Sequence, residues 1–247
     1  MSGTHLGQTF DIHAGGKDLV FPHHENEVAQ SEAAHGCQYV RYWMHNGFVN
    51  VDAEKMSKSL GNFFTIRDVL KLYHPQAVRW FLLSTHYRAP INYTEKTLEE
   101  ASDRVYYLYQ TLADLQATLA AAEDTEDGPI VEPDCVNKIE TRMRQAMEDD
   151  FNTALTIGVV SEPLKIINDL HHTKGGRKRA GRLATLKAIS EGLMTTLGIL
   201  GVGTDDPQQV LEEMRARALA RREMTEADVD AAIRDRRQAR EDKDWGR

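Results

Sequence analysis

The sequence is poor in cysteine and has no long apolar stretch, and each shortage excludes a class of protein. Cys37 and Cys135 are its only cysteines, too few for the disulfide framework of a small secreted domain. The purely apolar runs are only a few residues long, as at residues 80–83, whereas a membrane span needs ~18 consecutive apolar residues. The first residues lack the basic and apolar segments of a secretory signal. We therefore expect a soluble chain in a reducing cytoplasm.

Composition leaves enough apolar material for a folded core. Of 247 residues, 41% are hydrophobic and 28% are charged, which excludes disorder along the whole chain and favours two compact units. The formal net charge of −8 argues against a uniformly basic surface. Charge is uneven, because residues 95–150 hold fifteen acids and five bases, whereas residues 171–187 hold six bases and no acid. The ordinary interpretation of that basic segment is a solvated connection between helices.

The character of the sequence changes near residue 60. The first sixty residues alternate candidate strands, such as residues 9–13, with glycine turns and one short helix. Everything downstream has a helical pattern, broken by an acidic linker at residues 122–134. We predict an α/β segment followed by a mainly α-helical bundle, in which Pro163 kinks or divides one helix. The stripe of one long amphipathic helix comprises Leu98, Ala101, Val105, Leu108, Leu112, Leu115 and Leu119.

The first of three candidate functional clusters is a glycine turn after a strand. Gly15 and Gly16 end the strand pattern, and Asp18 lies two residues further on. Paired glycines let the backbone turn tightly or approach a ligand, and a nearby carboxylate accepts hydrogen bonds from a ribose hydroxyl. An ordinary turn and a nucleotide contact are both consistent with this cluster alone.

The second cluster combines histidine with glutamate. Pro22 favours a helix start, which places His23 and Glu27 four residues apart on one helix face. An imidazole and a carboxylate so placed can share one cation such as Zn²⁺, although a zinc site takes three or four ligands from its protein. A histidine that merely pairs with a surface glutamate is the other interpretation.

The third cluster is a basic loop at residues 55–59. Lys55 and Lys58 offer two ammonium groups beside the hydroxyls of Ser57 and Ser59. Such a loop suits a polyphosphate whose negative charge increases as pyrophosphate leaves. A solvated basic turn is the alternative, because short matches of this kind also occur by chance.

In this order, the three clusters resemble the cysteine–tRNA ligase family of class I aminoacyl-tRNA synthetases. Residues 10–27 are similar to that family's second catalytic half almost residue for residue. Residues 42–48 and residues 55–62 continue the likeness, the latter with a KMSKS-type loop. A weaker similarity extends through residues 148–153 to residues 243–245. The resemblance therefore covers most of the chain.

The resemblance implies three regions. Residues 1–62 would be the C-terminal part of a Rossmann-like nucleotide-binding domain, including the KMSKS-type loop. Residues 63–121 would be a helical stem-contact region with the first bundle helix. Residues 134–247 would be a helical bundle that binds the tRNA anticodon arm and ends in a charged helix. We expect the bundle to make the RNA contacts.

The resemblance also implies an ATP-dependent reaction with Mg²⁺, in which L-cysteine is activated to cysteinyl adenylate and then transferred to tRNA(Cys). Zinc would bind the substrate thiolate and so separate cysteine from serine. By this resemblance, the catalytic residues are Lys55 and Lys58, His13 lies beside the substrate cysteine, and His23 and Glu27 bind zinc. The residues implied to bind ATP are Gly15, Gly16, Asp18, His45, Gly47, Lys55, Met56, Ser57, Lys58 and Ser59. The candidate tRNA contacts are Lys174, Arg177, Lys178 and Arg179.

The sequence departs from the family pattern at its beginning. It has no counterpart of the first catalytic half, which carries the HIGH-type ATP signature, and only two of the family's four zinc ligands are present. A class I site lies between two halves of one parallel sheet. We therefore expect little or no activity from the chain alone, and a separate chain that supplies the other half is one explanation.

Two other functions stay open at this point. A stand-alone RNA-binding module would keep the helical bundle without catalysis. A ligase that joins cysteine to an amino sugar in mycothiol synthesis would also use zinc to recognise the thiol and would also have a KMSKS-type loop. It would need no tRNA-binding arm.

Overall fold

The computed structural model describes residues 2–51, 65–122 and 128–242, together with the backbone of residues 54–55. The side chain of Lys55 lies outside the described residues. The three domain boundaries drawn from the sequence stay predictions. Four predicted ATP-binding residues also lie outside the described residues: Met56, Ser57, Lys58 and Ser59.

The first part of the chain is a βαβ unit. A short helix α1 (Ser2–His5) precedes strand β1 (Phe10–Gly16), and helix α2 (Glu25–His35) connects it to strand β2 (Val40–Asn46). The two strands are parallel, with Ile12 opposite Tyr42 along the ladder. A parallel pair with a helical crossover is the repeating unit of nucleotide-binding α/β folds. The predicted α/β remnant is therefore confirmed.

A second small sheet joins this unit to the helices. Strand β3 (Val49–Val51) pairs antiparallel with β4 (Glu54–Lys55) and parallel with β5 (Ile91–Tyr93). The expectation that everything after residue 60 is helical is thus wrong at β5. This strand is specified by its partner, because the backbone N–H of Ile91 donates to the carbonyl of Phe48 across 2.9 Å. Three residues are too few for a local pattern to reveal such a strand.

The rest of the described chain is helical, and capping side chains fix several of its helix starts. Thr65, Thr94 and Thr225 each accept a hydrogen bond from a backbone N–H three residues later in a capping box. The helices after the first sheet are α3 (Ile66–Leu72), α4 (Pro75–Leu83), α5 (Glu95–Ala120), α6 (Pro133–Glu148), α7 (Thr153–His172), α8 (Arg182–Leu200), α9 (Pro207–Arg221) and α10 (Glu226–Glu241).

Helix α5 lies at the centre of the bundle core. It packs against α4, α7, α8 and α9, and its predicted apolar stripe faces these neighbours. Leu119 is only partly buried, since it lies near the end of the helix. The other six positions of the stripe are buried, which confirms the helical bundle: Leu98, Ala101, Val105, Leu108, Leu112 and Leu115.

Helix α7 continues through Pro163 from Thr153 to His172. Of the two outcomes expected at Pro163, the division is therefore wrong, and a kink stays a prediction. Proline removes one backbone donor and crowds the preceding turn. Pro163 is nevertheless buried in a helix that packs against α5, α6 and α8, and this packing offsets the local cost.

Among the described helices, α8 is long and apolar enough to cross a membrane by length and composition. Leu186, Leu193 and Leu197 on this helix are completely buried in the bundle core. A core helix meets the same criterion, so this property is weak evidence for a membrane.

The turn between α6 and α7 ties the bundle to the segment before β5. Asp150 and Phe151 both have positive φ, 53° and 55°, a conformation that non-glycine residues adopt at a cost. The Asp150 carboxylate accepts hydrogen bonds from the Tyr87 hydroxyl, at 2.8 Å, and from Arg88 Nη2, at 3.2 Å. The Arg88 and Tyr87 donors hold the pKa of the Asp150 carboxyl below its usual value of 3.8. The ionised carboxylate therefore stabilises this turn.

We expect Asp150→Asn to destabilise the protein at pH 7 and to have a smaller effect as the pH falls below 3.8, the usual pKa of the carboxyl. A carboxyl whose pKa is lowered by folding contributes stability above its unfolded pKa, and that contribution disappears as the pH falls through its folded pKa. Urea unfolding midpoints of both chains at pH 7 and pH 3 measure the difference. Asp149→Asn is the control, because among the described residues the Asp149 carboxylate accepts one long hydrogen bond, from Asn152 Nδ2 at 3.3 Å. Equal midpoints for Asp150→Asn and the parent chain at pH 7 would refute the expectation.

Candidate functional site

One face of the parallel strand pair carries a cluster of aromatic side chains. Strand residues alternate between faces, so His13 and Gly15 share a face of β1, while Trp43 and His45 share the matching face of β2. The ladder places His13 opposite Trp43, and Gly15 opposite His45. The ring of Trp43 stacks on His13 at 4.6 Å and on His45 at 5.9 Å between centroids. The strands therefore bring two histidines to one tryptophan.

A π-helical turn at Val20–His24 covers this face before α2 begins. The predicted helix start at Pro22 is thus shifted, because regular α-helix begins only at Glu25. The turn directs His24 into the cluster, where its ring is 4% exposed and its Nδ1 lies 2.8 Å from His45 Nε2. A Cβ on Gly15 would lie 2.7 Å from His24 Cε1. Glycine at this position therefore makes room for the His24 ring.

His24 is a residue of the site that the sequence did not single out. Burial lowers its pKa, and the neighbouring His13 and His45 lower it further, while Glu27 opposes them. One ring of the bonded His24 and His45 pair must donate and the other accept. A neutral His24 at pH 7 therefore supports the orientation of His45. The alternation of side chains along a strand could have placed Trp43 and His45 on one face of β2. The position of His24 is apparent only from the geometry of the turn before α2.

Glu27 connects two of the predicted site residues. His23 Nε2 lies 3.2 Å from Glu27 Oε1, and His13 Nδ1 lies 3.5 Å from Glu27 Oε2. Two ligands bound about 2.1 Å from one tetrahedral ion are about 3.4 Å apart, close to both observed separations. His13 Nδ1 and Glu27 Oε2 are buried atoms without a hydrogen-bond partner. These side chains therefore fit a cation such as zinc, and the role of His23 and Glu27 as its ligands stays a prediction.

The structure offers a second way to group ligands around Glu27. Ligand atoms of His13, His24 and Glu27 all lie within 4.8 Å of one another. We favour His13 and His23 over His24, because the His24 ring is already bonded to His45 and packed against Gly15. Buried groups of this kind commonly orient the metal ligands.

Neither cysteine joins this cluster. Cys37 Sγ lies 3.7 Å from Thr9 Oγ1 and 3.9 Å from Gln8 Oε1. Cys135 is buried in α6, where burial raises the pKa of its thiol to about 11. Among the described residues, the ligands around Glu27 are therefore histidines.

The predicted nucleotide residues gather where the parallel strands end. Gly15 and Gly16 end β1, and His45 lies one residue before the end of β2. Asp18 is exposed in the 3-10 turn at Lys17–Leu19. Open α/β sheets bind their ligands outside the carboxyl ends of the strands. The location of these residues is therefore suited to a nucleotide, although their roles stay predictions.

Gly47, the other predicted nucleotide residue, has a structural role of its own. It is buried, and a Cβ there would lie 2.2 Å from the carbonyl oxygen of Ala89. Its backbone N–H donates to the carbonyl of Tyr87 across 2.7 Å. Glycine is therefore required for the close approach of residues 87–89 to the end of β2, whether or not a nucleotide lies beside it.

The predicted RNA contacts lie on the connection between α7 and α8. Lys174, Arg177, Lys178 and Arg179 are all exposed there, around a 3-10 turn at Gly176–Lys178. Arg177 Nη2 donates to the backbone carbonyl of His172 across 3.2 Å, and Arg179 Nη2 lies 3.9 Å from Glu132 Oε1. Four exposed basic side chains on one short segment suit contacts to phosphate groups.

Comparisons with known proteins indicate the family of the chain. The family model of the tRNA synthetases class I (C) catalytic domain matches residues 1–103, and that of the DALR domain matches residues 142–201. A chloroplastic/mitochondrial cysteine–tRNA ligase of Arabidopsis thaliana is 49% identical over 250 residues, which cover 100% of this chain and 44% of the relative. The cysteine–tRNA ligase of Syntrophotalea carbinolica is 46% identical over 247 residues, which cover 100% of this chain and 50% of the relative. The chain thus spans about half the length of these curated relatives.

Solved structures of class I synthetases share the fold. A LeuRS of Agrobacterium radiobacter K84, in a ternary complex with tRNA and LeuAMS, has a TM-score of 0.59 at 18% identity, over 84% of this chain and 27% of that one. A methionyl-tRNA synthetase of Mycobacterium tuberculosis, in complex with methionyl-adenylate, has a TM-score of 0.57 at 20% identity, over 82% of this chain and 43% of that one. These matches favour neither the stand-alone RNA-binding module nor the ligase of mycothiol synthesis. The chain belongs to the cysteine–tRNA ligase family of class I aminoacyl-tRNA synthetases.

Proposed function

We propose that this chain supplies the second catalytic half and the tRNA-binding bundle of an ATP-dependent cysteine–tRNA ligase. The observation that carries the proposal is the cluster of His13, His23, His24 and Glu27 on one face of a parallel strand pair. Cysteine activation requires a place for ATP and a group that recognises the thiol. Histidine and carboxylate ligands beside the carboxyl ends of two parallel strands would supply both. Identity of 43–49% to named cysteine–tRNA ligases along the whole chain supports this assignment.

In the first step, the carboxylate of L-cysteine attacks the α-phosphate of ATP, and pyrophosphate leaves. Gly15, Gly16, Asp18, His45 and Gly47 would line the adenosine side of this reaction. The ammonium groups of Lys55 and Lys58, together with Met56, Ser57 and Ser59, would bind the phosphates and neutralise their developing charge. Mg²⁺ would accompany ATP. In the second step, the cysteinyl group passes to the terminal adenosine of tRNA(Cys).

Selection of cysteine would depend on the ligands around Glu27. Zinc held there would bind the substrate sulfur as a thiolate, and the harder hydroxyl of serine is a poorer ligand. His23 and Glu27 would hold the ion, and the 3.5 Å approach of His13 to Glu27 places His13 beside it. Buried His24, bonded to His45, would keep the ligand face in place. Two nearly isosteric amino acids would thus be separated by ligand chemistry.

The helical bundle would bind the tRNA arm. The exposed cations at residues 174–179 would contact phosphates, so binding should weaken as salt increases. The formal net charge of −8 does not oppose this, because six bases and no acid occupy residues 171–187. We place the protein in the cytoplasm, without a membrane.

The first half of the site would correspond to the part of the relatives' length that the 247 residues of this chain do not span. A class I pocket lies between two halves of one sheet, whereas β1 and β2 form a two-stranded sheet in the described part of the chain. This chain alone should therefore not activate cysteine. A complementary half, supplied separately, should restore the pocket.

We expect cysteine-dependent exchange of labelled pyrophosphate into ATP only when both halves are present. The complementary half can be prepared from the Syntrophotalea carbinolica ligase, as the part of that relative that this chain does not cover. Each half alone should give background exchange, and the mixture should give cysteine-dependent exchange that serine does not support. Addition of this chain carrying Glu27→Gln, in place of the parent chain, is the matched control. Full exchange by this chain alone would overturn the proposed division of the site.

A further inference from the structure

A second group of metal-ligating side chains lies in the bundle, apart from the cluster around Glu27. Asp114 belongs to α5, while His171 and His172 are the last two residues of α7. Ligand atoms of all three lie within 4.8 Å of one another. The proposed reaction uses none of these residues. Two helices that are distant in sequence thus bring a carboxylate and two imidazoles to one point.

The separations within this group suit a shared ion. His172 Nε2 lies 3.2 Å from Asp114 Oδ2, close to the ~3.4 Å between two ligands of one tetrahedral zinc ion. The two histidine rings are nearly perpendicular, at 81°, with centroids 4.7 Å apart. Their nitrogens can therefore approach one point from different directions.

Neighbouring side chains hold two of the three ligands in place. Thr118 Oγ1 lies 3.0 Å from His171 Nδ1, and Gln110 Nε2 donates to Asp114 Oδ1 across 3.4 Å. The tautomer that donates Nδ1–H to Thr118 leaves Nε2 of His171 with a lone pair for a metal. Supporting bonds of this kind are common around metal ligands. Asp114 Oδ2 stays directed at His172.

The surroundings favour a neutral imidazole at His171. Burial is the main cause that lowers the pKa of His171, and the cations of Arg182 and Arg177 lower it further, whereas Asp114 opposes them. The same two arginines reduce affinity for any cation, and the exposed His172 leaves the site open to water.

We propose that Asp114, His171 and His172 bind a divalent transition-metal ion, with Zn²⁺ as the natural occupant, and so join α5 to the end of α7. Two imidazoles and one carboxylate are ligands that zinc accepts, and three protein ligands leave one position for water. Imidazole donors favour zinc over Mg²⁺ and Ca²⁺, which prefer oxygen. The basic segment at residues 174–179 begins two residues after His172. A bound ion therefore restrains the start of that segment.

The test is a Zn²⁺ and Co²⁺ titration of the untagged full chain carrying Glu27→Gln, which weakens the other cluster. We expect this chain to bind one ion, with the visible absorption of tetrahedral Co²⁺. Loss of a residue that only supports a metal ligand costs about 10–100-fold in metal affinity. Asp114→Asn in the same background should weaken binding by more than this. Asp103→Asn, an exposed position on the same helix, is the matched control and should leave affinity unchanged.

A second measurement is specific to the location of the ion. Zinc should slow tryptic cleavage after Lys174 and Arg177 in the Glu27→Gln chain, but not in the chain that also carries Asp114→Asn. Far-ultraviolet circular dichroism without metal checks that both chains are equally helical. Equal affinities with and without Asp114→Asn, or no binding by the Glu27→Gln chain, would overturn the proposal. Loss of both binding and protection on Asp114→Asn, with unchanged helicity, would support it.

Discussion

Leu193→Ala should lower the free energy of unfolding by about 2–5 kcal/mol. Leu193 lies within α8 and is completely buried in the bundle core. Truncation removes three carbon atoms from the core and leaves a cavity that the packed helices fill only in part. The expected loss is a large part of the 5–15 kcal/mol by which a typical native protein is stable.

Urea unfolding followed by circular dichroism at 222 nm (a helix band) would measure this loss. Ile199→Ala is the matched control, because Ile199 lies on the same helix and is 54% exposed. Its substitution should change the free energy of unfolding by only about 0.5 kcal/mol. Equal losses for the two variants would mean that α8 is not packed in the core as described.

The bundle was predictable because burial there follows a local period. Leu98, Val105 and Leu112 recur at helical spacing, and this spacing alone places them on one side of α5. The capping box at Thr225 and Asp228 was also visible, since its two residues are three apart in sequence. Such signals need no knowledge of a distant partner. They therefore identify helices and their buried sides, but not which helices contact each other.

The parts that escaped prediction depend on distant partners. Strand β5 forms only because β3 offers it an edge, and paired residues such as Val49 and Ile91 are 42 positions apart in the chain. Pro163 is tolerated because neighbouring helices pack around it, which no local rule can anticipate. Gly47 has a packing role that only the approach of Ala89 reveals. In each case a tertiary contact overrides the local tendency.

The candidate site was predictable in part. The four-residue spacing of His23 and Glu27 predicted that they lie together, and they are 3.2 Å apart, although His23 belongs to the turn before α2. The resemblance to a known family drew attention to His13, which the structure places against Glu27. His24 was missed because its neighbour His23 matched the expected spacing equally well. Burial separates the two, since the His23 side chain is 61% exposed whereas His24 is buried.

Glu27→Gln should strongly reduce the zinc affinity of the cluster. The expected loss is larger than the about 10–100-fold that loss of a residue supporting a metal ligand costs. Glu27 is the only carboxylate of the described residues that contacts both His13 and His23, at 3.5 Å and 3.2 Å. Glutamine keeps the volume of the side chain but removes its negative charge and one of its two ligand oxygens. The two imidazoles would then have no shared anion, and two neutral ligands hold zinc weakly.

The measurement is competition with a chromophoric chelator, in a chain that also carries Asp114→Asn so that the bundle group does not contribute. Glu25→Gln is the matched control, because Glu25 is exposed two residues earlier in the same helix turn. It should leave zinc affinity almost unchanged, because an exposed charge that does not bind the ion acts on it mainly through water, where the interaction is weak. If Glu27→Gln and Glu25→Gln bind zinc equally well, His23 and Glu27 form a surface ion pair and the choice of cysteine must depend on other residues. If only Glu27→Gln fails, and cysteine-dependent pyrophosphate exchange in the two-half mixture fails with it, one carboxylate accounts for both metal binding and substrate selection.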